Sequence, residues 1–397
     1  MDRPSSSGTS PSSTRAAPSS RVAPDDAPGG NAVVDTQRLV VKVGTSSLTD
    51  EHGRIDSGSI SHVASEIASA RSAGTDVVLV SSGAIAAGLP ALGWDAANRP
   101  RDPRTLQAVS AVGQAHLLDA WNDALGSHGI VAGQVLLAPL DFGHRAQYLQ
   151  ARSTLERLLE LGVVPVINEN DAIADDEIRF GDNDRIAALV AHLVGADLLV
   201  LLTDTPGLMD ADPRLRSDAA LVEEIAEIDR ELERVAPGAG TARGSGGMAS
   251  KLAAARMASW SGIRCLIAHA GREGVLTGAL GSERGLGTWV PAHDRRLPAR
   301  KLWIAFALPT SGRLVIDDGA VDALVGGGRS LLPAGVTGVQ GSFDAADAVE
   351  VVDTEGRIVA KGIVSVDHTS ATRAAGRQSA EAGIEEMVHR DDMVVLA

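Results

Sequence analysis

Val163-Val-Pro-Val-Ile-Asn-Glu-Asn-Asp171 and, after a short charged interval, Gly181-Asp-Asn-Asp184 are the stretch whose reading decides the fold. An apolar, β-branched run that ends in polar residues is the pattern of a buried strand delivering side chains to the carboxyl edge of a sheet. Asn168, Asn170, Asp171, Asp182, Asn183 and Asp184 gather there with almost no aliphatic interleaving. Such a set of acceptors and amides suits a small, polar, amine-bearing ligand and a divalent ion.

Outward from this stretch the chain keeps one rhythm. Leu39–Val43, Asp76–Val80, Ile130–Leu137, Leu198–Thr203 and Arg264–His269 read as strands, and Ser57–Ala73, Arg104–Leu125 and Arg145–Leu161 as helices between them. Strands alternating with helices predict an α/β fold with a mostly parallel, helix-covered sheet. The content of 3% aromatics and 43 glycines agrees, since it favours close helix-on-sheet packing. Beyond Pro298 the style changes to short strands, Lys301–Phe306, Gly312–Ile316, Ala348–Val352 and Arg357–Ala360, separated by turns, which predicts a smaller, mostly β second domain.

The 397 residues accommodate two domains, and the net charge of −15 opposes a nucleic-acid or anionic-membrane face. No apolar run approaches the roughly 18 residues of a membrane span. The single Cys265 lies in an apolar run and reads as a reduced, buried thiol, which points to a cytoplasmic protein. Residues 1–36, with five prolines and eight serines, are expected to form a disordered tail without a signal peptide's apolar centre.

Small-residue loops follow several strands. Gly44-Thr-Ser-Ser47 and Ser81-Ser-Gly-Ala84 can bring backbone amides to a phosphate or carboxylate, and Gly244-Ser-Gly-Gly-Met-Ala-Ser-Lys251 opens a helix whose start favours an anion. Each has a plainer reading: Lys42 as an edge-strand lysine, Ser82 and Gly83 as helix caps, Asp204 as a turn former, and the 244–251 segment as a surface loop. Asp141-Phe-Gly143 and His389-Arg-Asp391 mimic protein-kinase signatures but stand in the reverse order, and Walker A, dinucleotide and His-Glu-x-x-His patterns are absent. Lysines at loop entrances, a carboxylate and amide cluster and no covalent nucleophile fit phosphoryl transfer, where positioning and charge neutralisation dominate.

Val40-Val-Lys-Val-Gly-Thr-Ser46, Ser81-Ser-Gly-Ala-Ile-Ala-Ala-Gly88, Pro165-Val-Ile-Asn-Glu-Asn-Asp171, Gly181-Asp-Asn-Asp184, Leu201-Leu-Thr-Asp204 and Gly246-Gly-Met-Ala-Ser-Lys251 resemble, in order, the motif set of the glutamate 5-kinase family. The resemblance runs from about Leu39 to Leu396. It implies an amino-acid-kinase domain over 37–292 and a PUA domain over 299–397. The implied activity is ATP-dependent phosphorylation of the L-glutamate γ-carboxylate, the first step toward proline, with Mg2+ and with proline as feedback inhibitor. It further implies a homo-oligomer and glutamyl phosphate reductase as a partner for the labile product.

Carried over by residue, the resemblance implies that Lys42 and Lys251 contact the phosphates and that Asp184 holds the two lysines. Ser82, Asp171 and Asn183, with Asn168 and Asp182, would bind the substrate, Asp171 meeting its ammonium and Ser82 a carboxylate. Thr203 and Asp204, with Ser245, Gly246, Gly247, Met248, Ala249, Ser250 and Lys251, would bind ATP. Metal ligands stay unassigned. The rival readings are a kinase of the same fold acting on acetylglutamate, aspartate, carbamate or a nucleoside monophosphate, an RNA-binding PUA protein, and a catalytically silent amino-acid sensor. Nine basic against fourteen acidic residues in 300–397, a net −5, oppose binding to an RNA backbone.

Overall fold

Alternation along short buried strands decides which side chain faces which layer. In β1 (Arg38–Val43), Leu39, Val41 and Val43 point into one core and Val40 into the other, so Lys42 lies on the Val40 side. The computed structural model describes residues 36–396 except 96, 143, 174–182, 212–215, 217, 227, 229–246 and 295. The predicted tail therefore lies outside the described residues apart from Thr36, which is buried and accepts a hydrogen bond from Arg264.

Among the described residues, β1 is the middle strand of a seven-stranded sheet. The other strands are β2 (Asp76–Ser81), β3 (Ala132–Leu137), β4 (Val164–Glu169), β5 (Leu198–Thr203), β6 (Arg264–His269) and β7 (Gly287–Val290), in the order β3-β4-β2-β1-β5-β6-β7. All neighbouring pairs are parallel except β6 with β7. The mostly parallel α/β expectation holds, and Lys42 is on the central strand rather than an edge. One side of the sheet is covered by α1 (Ser57–Ser72), α3 (Pro103–Gly126) and a short helix at Val275–Leu280, the other by α4 (Arg145–Glu160), α5 (Asn183–Val194) and α6 (Met248–Trp260).

The chain order reverses around β1, with β2 on one side and β5 on the other, which opens a crevice beyond the carboxyl ends of these strands. α2 (Ala84–Ala91) begins there, led by Gly83 with φ 109°, a left-handed conformation that glycine adopts without strain. α2 lies directly against α3 because both present glycine at the crossing. A Cβ on Gly113 would sit 1.7 Å from the Ala84 carbonyl oxygen, and one on Gly88 would sit 2.1 Å from that of Val109.

The second sheet has five strands in the order β12-β11-β10-β8-β9, with β8 at Gly312–Ile316, β9 at Val336–Gly341, β10 at Ala348–Val352, β11 at Ile358–Val364 and β12 at Val388–Val395. The segment Lys301–Phe306, expected as a strand, is instead helical: Ala299–Leu302 is followed by a π turn at Trp303–Ala307. Leu302 packs into the first sheet's core while Ile304 and Ala305 pack with Val394, so the segment is apolar on two sides. Periodicity alone does not separate such a helix from a buried strand. Lys301 donates to the carbonyls of Arg390 and Met393, and Lys361 donates back to those of Ala305 and Leu308, which ties this connector to the second sheet.

Candidate active site

Strand alternation brings Lys42 to the N-terminus of α5. Its Nζ lies 2.6 Å from Asp184 Oδ1, and the Nζ of Lys251, in the first turns of α6, lies 3.3 Å from Asp184 Oδ2. Ser250 Oγ lies 2.7 Å from the same Oδ2 and 2.9 Å from the Gly247 carbonyl oxygen, so its single proton serves one of these acceptors at a time. Lys42, Asp184 and Lys251 are 4%, 1% and 5% exposed, so the group is shielded from water. Burial by itself pushes the Asp184 carboxyl up, but the charges of Lys42 and then Lys251 outweigh it and hold the group well below the usual carboxylate range. Two ammonium groups against one carboxylate leave the triangle with a positive excess, which suits a polyanion.

Asn183, the residue before Asp184, turns to a different neighbourhood. Its Nδ2 donates to Ser82 Oγ at 3.2 Å and to Asn168 Oδ1 at 3.1 Å. Asn168 is the fifth residue of β4 and faces α3, where its Nδ2 donates to Gln114 Oε1 at 3.1 Å. Asp171, just beyond β4, accepts from the Ser110 hydroxyl. Burial pushes the Asp171 carboxyl above its ordinary value, and Ser110 only partly offsets this.

The consecutive residues Asn183 and Asp184 thus join two sub-sites, one of charge and one of amides and hydroxyls. Of the residues singled out in the sequence, Lys42, Lys251, Ser250 and Asp184 converge directly, as do Ser82, Asn183 and Asn168. Gly247 caps α6 and Met248 and Ala249 lie in its first turn. Thr203 ends β5 and Asp204 follows it, and the Thr203 hydroxyl donates to Asp204 at 3.2 Å. Among the described residues no hydrogen bond or ion pair links these two to the lysines. Asp182, Ser245 and Gly246 lie outside the described residues. Ser110 and Gln114 escaped sequence reading because, on a helix with ordinary apolar spacing, they look like exposed polar positions. Their partners, Asp171 for Ser110 and Glu169 and Asn168 for Gln114, lie at or just beyond the distant end of β4.

The amino acid kinase family model matches residues 37–269 and a PUA domain model matches residues 312–383. The chain is 46% identical over 371 residues to a glutamate 5-kinase of Ralstonia nicotianae, covering 92% of this chain and 98% of that protein. It is also 46% identical over 373 residues to a glutamate 5-kinase of Burkholderia mallei, covering 92% and 99%. With these matches lying over a mostly parallel sheet and a two-part crevice at its carboxyl edge, the chain belongs to the amino acid kinase family and, within it, to the glutamate 5-kinases.

Proposed function

We propose that this protein transfers the γ-phosphoryl group of ATP to the γ-carboxylate of L-glutamate, giving ADP and L-glutamyl 5-phosphate for proline synthesis. The observation that carries the reading is the buried Lys42–Asp184–Lys251 triangle set against the Ser82–Asn183–Asn168 network. A carboxylate oxygen attacks the γ-phosphorus, the bond to the β,γ-bridging oxygen breaks, and the electron pair leaves on ADP. The nucleophile is already ionised at neutral pH, so the step needs no general base.

In this reading Lys42 and Lys251 neutralise the phosphoryl oxygens as two anions approach, and Asp184 keeps both ammonium groups aimed. Ser82 donates to a substrate carboxylate. Asp171 pairs with the α-ammonium, whose charge restores the ionised state that burial disfavours. The same pairing favours free glutamate over acetylglutamate, which lacks the ammonium. Thr203, Asp204 and the start of α6 hold the nucleotide. Among the described residues no three His, Cys, Asp or Glu side chains form a metal site, and Asp184 is engaged by two lysines. Mg2+ would arrive bound mainly through the nucleotide phosphates.

The division 37–292 and 299–397, a homo-oligomeric state, a cytoplasmic location, delivery to glutamyl phosphate reductase and inhibition by proline belong to the same proposal. Among the described residues no helix is long and apolar enough to cross a membrane. Proline and glutamate share an α-amino-acid head, so proline should compete at the Asp171 sub-site. ADP release measured with glutamate, aspartate, acetylglutamate, carbamate and UMP tests the substrate. Turnover with glutamate alone is expected, and turnover with another acceptor but none with glutamate would overturn the assignment.

A further inference from the structure

Gln114 touches neither lysine nor Asp184, yet it is buried on α3 with every polar atom engaged. Its Nε2 donates to the Glu169 carbonyl oxygen at 3.2 Å, and its Oε1 accepts from Asn168 Nδ2 at 3.1 Å and Gln134 Nε2 at 3.4 Å. On the far side, the Glu169 backbone N–H donates to Asn168 Oδ1 at 2.9 Å and to Asn183 Oδ1 at 3.2 Å. A backbone carbonyl only accepts and a backbone N–H only donates. The two peptide groups of one residue therefore fix which way the amides of Gln114, Asn168 and Asn183 point.

The consequence reaches Ser82. With Asn183 Oδ1 held by the Glu169 N–H, Asn183 Nδ2 must donate to Ser82 Oγ, at 3.2 Å. Among the described residues that hydroxyl makes no other hydrogen bond, so its own proton is left to donate outward. A fixed donor gains more from an ionised carboxylate than from a neutral carboxamide. A hydroxyl released from this polarity could instead turn and accept from a carboxamide NH2.

We propose that Gln114 is a positioning residue that, by donating to the Glu169 carbonyl and accepting from Asn168, holds in place the Glu169 backbone whose N–H sets the polarity of Asn168 and Asn183, so that Ser82 selects a carboxylate over a carboxamide. The inference rests on the glutamate-kinase reading and names how its pocket discriminates.

The test compares wild type, Gln114→Met, Gln114→Glu, Ser82→Ala and Ser82→Ala combined with Gln114→Met. Glutamate and ATP KM are measured, along with inhibition constants for glutamine and isoglutamine, the γ- and α-amides of glutamate. In Gln114→Met the glutamate KM rises about tenfold, the size of one lost charge-assisted hydrogen bond, while the ATP KM stays within about twofold. The preference for glutamate over at least one amide narrows by a similar factor. Gln114→Glu, isosteric but without the donor for Glu169, shows the same direction and serves if the methionine variant does not fold. In the Ser82→Ala background Gln114→Met no longer moves the ratio. An unchanged ratio in both Gln114 variants, or an equal shift with and without Ser82, overturns the proposal while leaving the reaction intact. A wild type that makes no acyl phosphate from glutamate overturns both.

Discussion

Lys42 Nζ and Asp184 Oδ1 are 2.6 Å apart although the first belongs to the central strand of the sheet and the second to the first turn of a helix packed over it. Lys251 closes on the other carboxylate oxygen from a second helix. One buried carboxylate thereby sets the spacing of two cations that would otherwise repel each other.

Replacing that carboxylate leaves two buried ammonium groups without a counter-charge. Asp184→Asn should lower the unfolding free energy by about 3–5 kcal/mol, the cost of breaking a buried ion pair from one side. Urea unfolding at pH 7 measures it, and a loss below about 1 kcal/mol would contradict the role. The sign with pH follows from the lowered pKa. The stabilisation is present above the ordinary aspartate value of 3.8 and is lost as pH falls through the depressed one, so the difference between wild type and Asp184→Asn should shrink only in strong acid.

Lys251→Ala should reduce kcat by about 10²–10³, the range for removing one group that stabilises developing charge. The glutamate KM should change far less. Steady-state kinetics on folded protein separate the two, and a variant that loses glutamate affinity with kcat intact would place Lys251 in ground-state binding instead.

Asp171 gives the pH dependence of substrate binding. Burial raises its pKa above 3.8, and the carboxylate is the form that meets an ammonium. As pH falls toward that raised value the glutamate KM should climb while the ATP KM stays nearly flat. Asp171→Asn should remove the slope along with most of the affinity. Parallel slopes in wild type and variant would show that another group titrates.

The inner parallel strands were legible because each is a short apolar run facing a core on both sides of the sheet, and Leu198–Thr203 and Arg264–His269 fall where the pattern puts them, whereas Gly287–Val290, Val336–Gly341 and Val388–Val395 were not read as strands. The Lys42 strand was legible too, since a lysine among branched residues needs a reason. What the sequence did not show depends on contacts between distant segments. The helical connector at Ala299–Ala307 is apolar toward two cores and so lacks a one-sided stripe. Gln114 and Ser110 acquire meaning only once α3 is pressed against α2 and β4.

That pressing is itself testable. A methyl group on Gly113 would meet the Ala84 carbonyl oxygen at 1.7 Å and the Gly88 nitrogen at 2.6 Å, and both are backbone atoms that cannot swing aside. Gly113→Ala should cost about 1–3 kcal/mol by overpacking and, by pushing α2 away, displace Ser82 and raise the glutamate KM. Thermal unfolding and glutamate kinetics together check this, and an unchanged Tm and KM would show that the helices part freely.

The most direct measurement is hydroxylamine trapping of the product with ATP, run on wild type and Lys251→Ala with glutamate, acetylglutamate and aspartate. γ-Glutamyl hydroxamate is expected from glutamate alone, with a loss of about 10²-fold or more in the variant. Hydroxamate from another acceptor but not from glutamate, or undiminished product in Lys251→Ala, would contradict the proposed transfer.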